Sequence, residues 1–230
     1  MVKNNSIEMS AGIIHGQLIG GMSEGNGDID SNSITITGGV VGKVYVAYTE
    51  GSGAISNNSI TMSSVSVEHG DVYGVYTKGD GAVTNNSVII SDSAIDGVIY
   101  GAYTEGSGAV TNNKVIISGA ATNISIAPVS GGVSLGTGTA AYNNVTVTGG
   151  AISNSVLGGA SAHGIAEYNS VIVEGGAIGS DVTGGAAMDN AARHNSVTIS
   201  GTAELRGDVI GGRIEGKATG DVTYNSVIIS

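Results

Sequence analysis

Asn195-Ser196-Val197-Thr198-Ile199-Ser200-Gly201 is the stretch whose reading decides the fold. Polar and apolar residues alternate from Ser196 to Ser200, and the apolar ones are β-branched, as a strand with one buried face requires. Val197 and Ile199 are expected to face an interior and Thr198 to face solvent. Gly201 closes the run with a turn signal. The opening Asn is one of nine. It recurs as Asn5, Asn32, Asn58, Asn86, Asn113, Asn143, Asn169, Asn195 and Asn225, at intervals of 27, 26, 28, 27, 30, 26, 26 and 30 residues. A strand-like run follows each anchor. Near the middle of most units comes a second apolar patch, such as Val44-Tyr45-Val46, Val72-Tyr73-Gly74 or Val182-Thr183-Gly184.

A unit of this size cannot bury its apolar face alone and must stack on its neighbours. The competing architectures fail on composition. The chain holds 40 Gly and one Pro, and each Gly inside a helix costs ~1 kcal/mol relative to Ala. Leu, which a leucine-rich repeat would need throughout, occurs only at positions 18, 135, 157 and 205. The expected fold is therefore all-β: a parallel β-helix (solenoid) of about nine coils of 26–30 residues, with two or three sheets. It should be right-handed, as ~98% of parallel crossovers are. Strands of successive coils lie ~4.8 Å apart, which gives a rod roughly 40 Å long. The whole chain, 1–230, reads as one such array and as a fragment of a longer one. Stacking places equivalent residues above one another. The nine anchors should thus form a ladder of bonded side-chain amides at a turn, where Asn also tolerates left-handed backbone.

Composition narrows the function. The net charge is −11 with eight Lys and Arg in all, which argues against a nucleic-acid partner. No Cys is present, so no disulfide staples the chain, and none would obstruct export in an unfolded state. No apolar stretch reaches the ~20 residues of a membrane helix. There is no phosphate loop, nucleophile elbow or Cys/His metal set. His15, His69, His163 and His194 fall at different points of the repeat. Asp28-Ile29-Asp30-Ser31-Asn32 alternates oxygens as a calcium loop does, but it lacks the turn Gly and closing Glu of that pattern. No catalytic residue, metal ligand or cofactor is expected.

Three features remain as surface candidates. Tyr45/Tyr48, Tyr73/Tyr76 and Tyr100/Tyr103 repeat in register. Tyr45, Tyr73 and Tyr100 should form an outward row able to stack on sugars or seat a protein, or else simply cover neighbouring coils. Glu50, Lys78 and Glu105 share one repeat position, which puts a cation between two anions. The two 30-residue units also stand out. Unit 113–142 contains Pro128 and is expected to lose its regular second strand. Unit 195–224 carries Arg206 and Arg213 with Glu204, Glu215 and Lys217, just after Arg193.

Asn195 to Ser200 with Asp208 to Gly212, and Asn225 to Ser230, resemble the passenger repeats of very large bacterial autotransporter (type V secretion) adhesins, the fusobacterial outer-membrane type above all. The resemblance spans essentially the whole chain. It implies a right-handed β-helical passenger exported through a separate β-barrel, a location at the bacterial surface or outside the cell, and a host-surface glycan or protein as partner. The family has no shared catalytic motif, so no site residue carries over. Its signal and barrel are absent from this chain, as a fragment would have it. The expected role is a structural or adhesive stalk. The alternatives are a polysaccharide-active enzyme or tailspike-like glycan binder on a β-helix, and a self-assembling or ice-binding solenoid.

Overall fold

The computed structural model describes residues 1–123, 128–216 and 220–230. Each repeat forms one turn of a β-solenoid. The turn opened by Asn32 is typical: strands Ser33–Ile36, Gly39–Val41 and Val44–Thr49, then the short strand Ile55–Ser56 that leads to the next anchor. Every strand pairs in parallel with its equivalent one turn away. Three sheets result. A nine-stranded sheet of two-residue strands precedes the anchors, a broad sheet follows them, and a third contains the Val44–Thr49 strands. The chain makes about eight turns between Asn5 and Asn225, and no helix occurs among the described residues.

The interior is a set of columns. Ile34, Ile60, Val88, Val115, Val145, Val171 and Val197 pair in one unbroken register. Each is at most 1% exposed. Alternation along the strand places Thr35 and Thr61 on the opposite face. Burial on one face fixes the register, because a slip of one residue would turn the whole apolar set outward.

The third sheet breaks strict alternation. Val46 and Ala47 are both buried, so Tyr45 and Tyr48 both emerge on the outer face. Further along, the same two inward positions are the pairs Gly131-Gly132, Gly158-Gly159, Gly184-Gly185 and Gly211-Gly212. The second Gly of each pair lies against the next anchor: a Cβ on Gly132 would stand 2.6 Å from Asn143 Oδ1. The neighbouring core residues shrink in step, from Ile55, Val83 and Val110 to Ala166 and Ala192.

Unit 113–142 keeps its third-sheet strand, contrary to the sequence-based expectation. Val129–Ser134 pairs with Ile99–Tyr100 and Tyr103–Thr104 on one side and Val156–Ser161 on the other. The extra residues fall before the strand. Pro128 sits just outside its start, where a missing N–H removes no ladder bond.

Gly132→Val is expected to lower stability by about 1–3 kcal/mol, because the added carbons meet the Asn143 amide, which the column holds in place, and the buried Val110 side chain. Gly16→Ala, with nothing within 4 Å of its added carbon, should change stability by less than about 0.5 kcal/mol. Urea unfolding midpoints at constant m-value distinguish the two.

Candidate functional site

The anchors form one continuous column. The Nδ2 of each donates to the Oδ1 of the next at 2.7–3.1 Å, from Asn5 to Asn225. The same Oδ1 also accepts the backbone N–H of the preceding anchor at 2.9–3.0 Å. In several turns the second Nδ2 hydrogen reaches a backbone carbonyl, as from Asn143 to Val110 O at 2.9 Å. The seven anchors from Asn32 to Asn195 are at most 1% exposed. They are sealed inside, with their polar capacity spent on one another.

The left-handed residue is the one before each anchor, not the anchor. Asn4, Ser31, Asn57, Asn85, Asn112, Tyr142, Tyr168, His194 and Tyr224 all have φ between 54° and 58°. This residue turns the chain from the short sheet into the broad one and leaves the anchor side chain pointing inward. The last four of these corners form a stack that sequence reading missed. Tyr142, Tyr168, His194 and Tyr224 lie ring on ring at 4.8–4.9 Å, within 11° of parallel. Tyr142, Tyr168 and Tyr224 are 55%, 42% and 79% exposed. Positive φ is uncommon for a bulky residue, and stacking offsets part of that strain. The signal was available: three of the last four anchors are preceded by Tyr and the other by His.

The second set of tyrosines stacks too. Tyr45 lies over Tyr73 at 5.1 Å and 7°, and Tyr48 over Tyr76 at 5.5 Å and 4°. The two rows meet edge to face, as between Tyr45 and Tyr48 at 75°. Tyr45 is only 7% exposed, and Tyr73 and Tyr100 are half-buried. Their faces are turned on one another, so the rows present edges and hydroxyls outward. Tyr100 differs: it is tilted 43° from Tyr73, and its partner in the following turn is Ser130 rather than another ring. Burial raises the hydroxyl pKa throughout the set, pushing Tyr100 up to about 12. Tyr76 is raised by burial and by its bond to Glu105.

Among the described residues most of the charged candidates are paired, Arg206 and Glu204 being exceptions. Lys78 Nζ lies 2.6 Å from Glu50, while Glu105 accepts the Tyr76 hydroxyl. Arg193 meets Glu167 at 2.9 Å, and Arg213 meets Glu215 at 2.6 Å and Asp181 at 3.4 Å. Lys217 lies outside the described residues. Exposed pairs of this kind contribute about 0–1 kcal/mol each. Asp30 accepts bonds from Ser56, Asn57 and Ser31, which lower its pKa. His69 pairs with Asp96 and His163 with Asp189. Among the described residues, no three His, Cys, Asp or Glu side chains converge as metal ligands would.

Asn113→Ala orphans the N–H groups of Asn86 that its Oδ1 accepts, and should cost about 1–3 kcal/mol for each buried group left unpaired. Asn5→Ala, at the exposed end of the column, should cost less than about 1 kcal/mol; denaturant unfolding measures both. A raised tyrosine pKa means that the folded chain holds its protons longer than the unfolded chain. Stability contributed by the tyrosine rows is therefore complete below the ordinary value of 10.0 and is lost as pH rises through the folded values. The unfolding midpoint should fall from about pH 10 upward, and less steeply in Tyr73→Phe. The chain matches no protein-family model, no curated protein and no solved structure.

Proposed function

We propose that the chain is a rod segment of a secreted bacterial surface adhesin, a stiff stalk whose flank contacts host-surface glycan or protein. The observation that carries this reading is the uninterrupted asparagine column through all nine anchors. Such a column favours one stacking geometry per turn and resists bending. A solenoid also exposes long, regular flanks to partners. The repeat resemblance and the lack of Cys fit export to the cell surface. The outer face of the third sheet is the flank best suited to contact, since its aromatic rows turn ring edges and hydroxyls outward along a regular sheet.

Beads coated with the purified chain test the reading against cultured epithelial cells. Saturable adhesion that disappears after heat unfolding is the expected result. If the folded chain gives no adhesion, while small-angle scattering shows a rod about 40 Å long, the flank has no adhesive role and the chain is a spacer alone.

A further inference from the structure

The outer face of the third sheet changes height along the rod. One row runs Tyr45, Tyr73, Tyr100, Ser130, Leu157, Thr183. The row beside it runs Tyr48, Tyr76, Tyr103, Val133, Ala160, Ala186, Arg213. Large rings thus give way to side chains no bigger than leucine for three turns, and then Arg213, beside Ile210, rises at the far side. The result is a trough of about 330 Å³. Its walls, Tyr100 and Arg213, stand four turns apart, or about 19 Å. Tyr100 closes it with the ring that has no aromatic neighbour in the following turn.

The trough collects unmet hydrogen-bonding capacity. Among the described residues, four buried side-chain polar atoms have no partner: Ser130 Oγ, Ser134 Oγ, Thr183 Oγ1 and Arg213 Nε. All four residues line this trough. Ser130 and Ser134 are 0% exposed and Thr183 is 2% exposed. In other turns the residue equivalent to Ser134 is satisfied: Thr49 donates to Ser23 O at 2.8 Å and Ser161 to Gly138 O at 2.8 Å. The Ser134 hydroxyl faces inward like Thr49 and Ser161 and lacks only their backbone bond. More than about 90% of buried polar groups in folded proteins are bonded, so the three orphans on the outward rows, Ser130, Thr183 and Arg213, point to a ligand that bonds them.

We infer that the trough binds a linear, uncharged oligosaccharide. Its floor alternates hydroxyls with hydrocarbon (Ser130, Leu157, Thr183), as a sugar's own surface alternates. The open side of Tyr100 suits the apolar side of a pyranose ring. An acidic sugar is disfavoured, because Arg213 is already flanked by Glu215 and Asp181 and the chain carries a net −11. A purely apolar ligand would leave the three outward polar atoms unmet. A peptide strand cannot pair here, because strand addition needs a sheet edge and the trough overlies a sheet face. The site gives the adhesive-rod reading a ligand class, and it stands or falls separately from that reading.

An array of uncharged oligosaccharides (lactosamine, cello-, malto- and chito-oligosaccharides), printed beside sialylated and uronic-acid counterparts, tests the inference on the full chain. Wild type should bind uncharged members and not the acidic ones. Ala160→Arg, which fills the trough from its floor, should abolish binding. Thr183→Val, which keeps the shape and removes one hydroxyl, should weaken binding about tenfold. Ile13→Lys, on an exposed site of the broad sheet, should bind as wild type. Circular dichroism and scattering confirm that each variant folds. No binding to uncharged sugars by the folded wild type, or binding that survives Ala160→Arg, overturns the proposal. Cell adhesion measured on the same variants separates the two readings: sugar binding lost with adhesion retained supports the trough and places the cell contact elsewhere on the rod.

Discussion

Everything in this molecule depends on the buried amide column. An asparagine carries both a donor and an acceptor on one rigid plane, so identical copies a strand spacing apart can satisfy each other indefinitely. The column works only if every turn delivers its asparagine to the same place at the same height. That requirement fixes the corner before it, where nine residues share one left-handed conformation. It also restricts the wall facing it, where glycines in the later turns leave room for the amide. Turn length then varies between 26 and 30 residues while the strands that flank the column keep their register.

The inside is therefore uniform and the outside is not. Inward positions repeat Val, Ile or Ala in register through most turns. Outward positions shift from tyrosines in the early turns to small side chains and then to Arg213. The aromatic sets illustrate a consequence of stacking. Rings placed at equivalent positions lie face to face, so their faces are consumed by one another, and recognition through a ring face is left to the end of a row. Tyr100 is such an end, and the trough begins there.

The fold was legible from the anchors because stacking repeats a sequence signal that physics demands at every turn. The columns of Val and Ile followed from period-two alternation, and the long unit 113–142 that contains Pro128 was visible. The third-sheet strand of that unit was not, because Val129-Ser130-Gly131-Gly132-Val133 has few bulky residues; its pairing comes from the strands above and below. Asn tolerates the left-handed conformation, yet the anchor must point inward, so the turn falls on its predecessor. The Tyr142–Tyr224 stack was legible only in the residue before each of the last four anchors, a corner position that carries no alternation signal. The trough could not be read at all, since it is defined by what several distant turns lack.

Side-chain amide hydrogen exchange, followed by NMR on Asn-labelled protein, tests the central claim most directly. The account predicts that the Nδ2 protons of Asn32, Asn58, Asn86, Asn113, Asn143, Asn169 and Asn195, all at most 1% exposed, exchange as slowly as core backbone amides. Exposed Asn26 should exchange at the rate of free asparagine. Interior anchors exchanging as fast as Asn26 under native conditions would contradict a sealed, continuous column, and with it the stacking on which the rod is built.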